Sequence, residues 1–191
     1  MKKYSRFLSS WFQYGYFLYG VFFLSWSAHL LLWGFWLESV VNGIGMIWVL
    51  ALCTGAHRWK NLRSFIVVRL AVLLAHTIFF LIADLGLSPA DSVIVGLVER
   101  PAYFLPITFA LIASILLRYG TNLFLFIQNG RAKSDVVYKT AFQEFIPFHF
   151  ILILTVAGMY FNWNILLILI ILTRFILDIV FPFGWMKKED G

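Results

Sequence analysis

From Phe7 to Ala56 the sequence runs for 50 residues with a single formal charge, Glu38. As one helix, at 1.5 Å per residue, this run would reach about 75 Å. The hydrocarbon core of a bilayer is about 30 Å thick. The run therefore predicts two membrane spans joined by a tight turn. Its most polar stretch is Ser25-Trp26-Ser27-Ala28-His29, which places the spans near 7–27 and 29–55.

Composition agrees. Of the 191 residues, 62% are hydrophobic and 13% are charged, with a mean hydropathy of +0.87. A soluble domain is about half apolar and about a quarter charged. A water-soluble enzyme and a nucleic-acid binder are excluded on that ground, and the bilayer becomes the expected partner. The amino terminus, Met1-Lys2-Lys3-Tyr4-Ser5-Arg6 before an apolar stretch, imitates a signal peptide. No small-residue cleavage site follows, so we read it as a retained first span.

The same logic divides the rest of the chain. His57 to Arg63 reads as a basic loop, followed by a span at 64–85 with Gly86 as its stop. Ser88 and Pro89 read as the start of a short helix, Val93 to Val98, which is too short to cross. Further spans are expected near 102–127, 145–160 and 165–184, with a hydrophilic loop over Gln128–Asp135 and a tight turn at Asn162-Trp163-Asn164. The fold class is thus all-α, a polytopic membrane helix bundle of about six transmembrane helices, forming one integral-membrane domain over 1–191. No internal repeat is visible, and a homo-oligomer or a partner membrane subunit is a natural expectation for so small a bundle.

Charge sets the orientation. Six spans put Lys2, Lys3, Arg6, Arg58, Lys60, Arg63, Arg131, Lys133, Lys139, Lys187 and Lys188 on one side and leave only Arg100 on the other. Eleven against one predicts that both termini are cytoplasmic. Attraction to anionic headgroups accounts for these charges without any nucleic acid.

The remaining charges sit inside spans, where each costs about 2.5–3.5 kcal/mol on insertion scales. The candidates are Glu38 and Asn42 in the second span, Arg69 and His76 in the third, Arg118 and Asn122 in the fourth, His149 in the fifth, and Arg174 and Asp178 in the sixth. Glu38 and Asn42 share a helix face, as do Arg118 and Asn122, and Arg174 and Asp178. Such alignment predicts a polar seam inside the bundle. The expected pairs are Asp178 with Arg118 or Arg69, and Glu38 with Arg174 or His76. Arg69, six residues into its span, has the alternative of snorkelling to the interface, and Asp84 is expected to be wet.

Two readings of the seam follow. Three arginines face two deep carboxylates, Glu38 and Asp178, which suits a lipid phosphate or a small anion. Alternatively, Glu38, His149 and Asp178 serve as acid/base or metal-binding groups of an intramembrane enzyme. No cofactor is implied. The lone Cys53 and the histidines His29, His57, His76 and His149 form no H-x-x-x-H or H-x-x-H pair. Walker A, G-x-S-x-G and G-x-G-x-x-G patterns are absent, and Gly43-Ile44-Gly45 suits close helix packing.

Leu32-Trp33-Gly34-Phe35-Trp36-Leu37-Glu38-Ser39-Val40-Val41-Asn42-Gly43 resembles the Y-W-x-E-N-x-x-x-G region of an uncharacterised prokaryotic membrane family, domain of unknown function 6498. Asn122 within Tyr119–Phe126, His149 with Gly158, and Leu172 to Asp178 are similar to its later segments, in the same order. Ser39 stands where that family has asparagine, and Arg174 where it has lysine. The resemblance implies a multi-pass protein of a prokaryotic plasma membrane and highlights Glu38, His149 and Asp178. It implies no activity.

Overall fold

The computed structural model describes residues 2–24, 26–86, 92–128, 133–143, 153–157 and 164–180, and these are helical apart from short connections. The helices are α1 (Lys2–Phe23), α2 (Ala28–Leu52), α3 (Arg58–Gly86), α4 (Val93–Glu99), α5 (Pro101–Gln128), α6 (Ser134–Gln143), a short α7 (153–157) and α8 (Asn164–Val180). Among the described residues there is no strand, only an isolated bridge between Thr54 and Lys133. Among the described residues, three stretches are long and apolar enough to cross a membrane: α2, α3 and the 101–121 part of α5.

Local chemistry sets the breaks. The first turn falls where polarity predicted it. α1 ends at Phe23, and Ser27 caps α2 by accepting from the Leu30 N–H. Such a cap satisfies one of the four N–H groups that a helix start leaves without partners. The basic stretch after His57 is not a loop: α3 starts at Arg58, so Lys60 and Arg63 lie on its first turns. The polar region after residue 133 holds a further helix, α6. Asn61 donates to Ser134 Oγ and Asp135 Oδ1, and the Ser64 and Tyr138 hydroxyls bond to each other, fastening α6 to α3. The cap of the short helix is Ser92, which accepts from the Val95 N–H, rather than Ser88. Ser88 and Pro89 lie outside the described residues, as do Asn162, Trp163 and most of the span expected at 145–160.

α2 is central. It packs on α3 along one side and on α5 along another, while α1 packs on α5 and α8. Two apolar cores result. One gathers Tyr14, Phe17, Leu31, Phe35, Leu111 and Ile171 around the turn between α1 and α2. The other gathers Met46, Leu50, Cys53, Phe65, Phe126 and Val137 near the junction of α2 with α3. Between the two, at Glu38 and Ser39 of α2, Arg69 and His76 of α3, and Arg118 of α5, lies a belt of buried polar side chains.

Trp26 closes the first core from the turn, with its ring edge on Tyr16, centroids 5.1 Å apart. It can do so because residue 20 is glycine: a Cβ there would overlap the Trp26 ring. Gly15, on the same helix, has open space around it. Gly20→Ala should therefore cost about 1–3 kcal/mol through overpacking. Gly15→Ala should gain about 0.5–1 kcal/mol from helix propensity. Thermal unfolding of the two variants in detergent should shift in opposite directions, and equal shifts would refute this account of Trp26.

Candidate functional site

Glu38 is fully buried, and helices α1, α5 and α8 each bring a donor to one of its oxygens. Glu38 Oε1 accepts from Arg118 Nη1 at 2.7 Å, from Arg174 Nη2 at 3.0 Å and from the Tyr14 hydroxyl at 3.3 Å. Arg118 Nη1 also donates to Tyr14 Oη at 2.8 Å and to Gln13 Oε1 at 3.1 Å. That nitrogen has two hydrogens for three acceptors, so its bonds are shared. Removing charges from water costs several kcal/mol per ion, and only close, multiply bonded geometry offsets it. The rings of Tyr14 and Tyr119 add to this, with the Arg118 guanidinium carbon 5.3 and 5.1 Å from their centroids.

Not every atom in this cluster is engaged. Glu38 Oε2 and Gln13 Nε2 are enclosed and have no hydrogen-bond partner among the described residues. The same holds for Oδ1 of Asn42, one turn along α2 from Glu38. Arg174 is the member that reaches the surface, with its side chain 11% exposed against 0% for Arg118 and Glu38.

The other half of the belt lies between α2 and α3. Arg69 Nη2 donates to the Ser39 carbonyl and to Ser39 Oγ. His76 Nδ1 lies 3.3 Å from that same Oγ. Arg69 reaches this far because Gly43 has no side chain: a Cβ there would stand 2.5 Å from Arg69 Nε.

These positions revise the expected pairs. Glu38 meets Arg174, as one alternative had it, but His76 turns to Ser39 instead. Residues 38 and 39 point about 100° apart on a helix, so they address different neighbours. Arg118 meets Glu38, and the pairs expected for Asp178 fall on a side chain outside the described residues. Arg69 is buried against α2, so it does not snorkel. The Asp178 and Asn122 side chains and all of His149 lie outside the described residues. Among the described residues no three His, Cys, Asp or Glu side chains come together as a metal set. Two of the three donors to Glu38, Arg118 and Arg174, are themselves cations.

A second polar cluster was missed by sequence reasoning. Asp84, expected to be wet, is fully buried. Its Oδ1 lies 3.0 Å from His29 Nδ1 and accepts from the Val93 N–H, while Oδ2 accepts from Ser92 Oγ at 2.6 Å and from the Ile94 N–H. The carboxylate thereby caps α4 and ties the end of α3 to the start of α2. The available signal was a carboxylate eight residues ahead of the Ser92-Val93-Ile94 helix start, close enough in the chain for the helix N-terminus to attract it.

Comparison with known proteins adds no name: no family model, no curated protein and no solved structure matches the chain.

Glu38→Gln should destabilise the bundle by about 3–5 kcal/mol, because it leaves two arginines without the buried charge they face. Asp84→Ala should cost at least about 2 kcal/mol, because it strands several enclosed donors. Equilibrium unfolding in mixed micelles measures both. A loss below about 1 kcal/mol in either would show that its cluster is solvated rather than buried.

Proposed function

We propose that this chain is an integral membrane protein of about six spans with both termini on the cytoplasmic side. Its Glu38 seam binds the phosphate group of a lipid or of a small anion. The observation that carries this reading is the convergence of two arginines, from two different helices, on one oxygen of one buried carboxylate.

Three features support it. Guanidinium groups match phosphate oxygens in geometry and charge. Glu38 Oε2 is an enclosed acceptor, and Gln13 Nε2 an enclosed donor, at the same place. A phosphate group that retains a proton offers both: oxygens for the arginines and the amide, and an O–H for Oε2. Sites between helices of a bundle are also a common place for ligands. Entry would be past Arg174, the partly exposed member. The membrane reading rests on the three long apolar helices and on the eleven-to-one distribution of basic residues.

Binding is read as thermal stabilisation of the purified protein at pH 7, with inorganic phosphate in one arm and a short-chain phosphatidic acid in the other. A ligand at a hundred times its Kd stabilises by about 2.7 kcal/mol. Both arms should respond if phosphate alone is recognised, and only the second if the ligand is a lipid. Arg174→Gln should abolish the response. No stabilisation in either arm, or a response unchanged in Arg174→Gln, would leave the seam as a purely structural clamp. For topology, single cysteines placed at Lys60 and Arg100 in a Cys53→Ser background should label from opposite sides of the membrane, Lys60→Cys from the cytoplasm. Labelling from the same side would overturn the span count.

A further inference from the structure

Below the Glu38–Arg118 contact, α2 and α5 leave a cleft of about 240 Å³ between them. Its lining is apolar and includes Val41 and Trp48 of α2 and Leu116 and Leu123 of α5. Gly45 and Gly120 also line it, and a Cβ on Gly120 would meet nothing within 4 Å. The cleft faces outward: Trp48 and Leu116 on its rims are 60% and 53% exposed.

Its dimensions restrict what fits. On α2 the lining runs from Val41 to Val49, eight rises of 1.5 Å or about 12 Å. One leaflet of a core about 30 Å thick is about 15 Å deep. An apolar groove of that length, open along its outer side, suits one extended hydrocarbon chain lying along the helices within a single leaflet.

The charge beyond the cleft selects the headgroup. α2 ends at Leu52, and the next residues meet the start of α6, where the Ser134 N–H donates to the Thr54 carbonyl at 2.9 Å. Lys133 bridges to Thr54 and is exposed, and Arg58 opens α3. Lys60, Arg63 and Lys139 follow at the same end of the bundle, all exposed. A zwitterionic headgroup, whose phosphate is balanced by its own cation, gains less from such a cluster than an anionic one does.

We infer that the cleft between α2 and α5 holds one acyl chain of an anionic phospholipid of the cytoplasmic leaflet, with its phosphate against the basic ends of α3 and α6. This rests on the proposed orientation but not on the Glu38 seam. The seam uses Arg118, whose neighbour Tyr119 lines the cleft.

The test is lipid retention by the full chain. Protein reconstituted in vesicles of phosphatidylglycerol or of phosphatidylcholine is extracted in mild detergent, and bound lipid is counted by native mass spectrometry. One phosphatidylglycerol should be retained per chain, at least fivefold more than phosphatidylcholine. Gly120→Leu, which fills the cleft, should lower retention at least tenfold. Leu123→Trp, which narrows it from the same helix, should do the same and serves if Gly120→Leu does not fold. Arg58→Gln combined with Lys133→Gln should bring the two lipids to equal retention. In an Arg174→Gln background, Gly120→Leu should still remove one lipid per chain, which separates this site from the seam. Retention of phosphatidylglycerol by a folded, filled variant at the wild-type level would overturn the proposal. So would equal retention of the two lipids by the wild type, or a dimer that Gly120→Leu dissociates with no change in lipid.

Discussion

One carboxylate oxygen organises the interior of this bundle. Glu38 Oε1 is the point on which α1, α5 and α8 meet α2, through Tyr14, Arg118 and Arg174. In a bilayer, apolar faces gain little by leaving lipid for one another, so packing and hydrogen bonds must specify which helices associate. Leucine and phenylalanine surfaces tolerate a shift in register. A buried arginine that loses its carboxylate does not, because the uncompensated charge costs several kcal/mol. The Glu38 contacts therefore fix rotation and depth together for four helices.

The belt extends this control through α2 itself. Glu38 and Ser39 are consecutive, and the turn of about 100° between them sends one toward α1, α5 and α8 and the other toward α3. Arg69 and His76 both meet Ser39, at a place where Gly43 opens the helix surface. Apolar cores above and below the belt exclude water from it. That exclusion strengthens each ionic bond and raises the cost of each unmade one. The polar layer and the two cores are thus interdependent.

The sequence made some of this legible. A charge-poor run of fifty residues could only be two helices, and the polar stretch at Ser25–His29 marked their turn. Spacing by four put Glu38 and Asn42 on one face. The choice of partner was not legible, because it depends on how each helix is rotated against its neighbours, and no local pattern encodes that. Arg69 illustrates the point. Its place near the start of a span allowed snorkelling, and the gap that Gly43 leaves on another helix explains how it turns inward. Asp84 is the converse case. Its position near a helix end suggested water, but four groups from α2 and α4 enclose it.

Glu38 and Asp84, both buried, differ in how fully their oxygens are engaged. Both oxygens of Asp84 are engaged, by a histidine, a hydroxyl and two backbone N–H groups on the elements it joins. It is a closed cap, and nothing about it calls for a further partner. Glu38 gathers three donors onto a single oxygen while its second oxygen, enclosed, accepts nothing from the described residues. Buried polar groups in native proteins are nearly always satisfied, so each exception calls for a reason. Here the exception coincides with two converging arginines and a Gln13 amide donor that has no partner among the described residues. A cluster built only to hold helices together would gain by using the second oxygen, as Asp84 does. The incomplete satisfaction of Glu38 among the described residues is therefore what singles out this seam, and not the equally buried Asp84 cap, for the proposed binding.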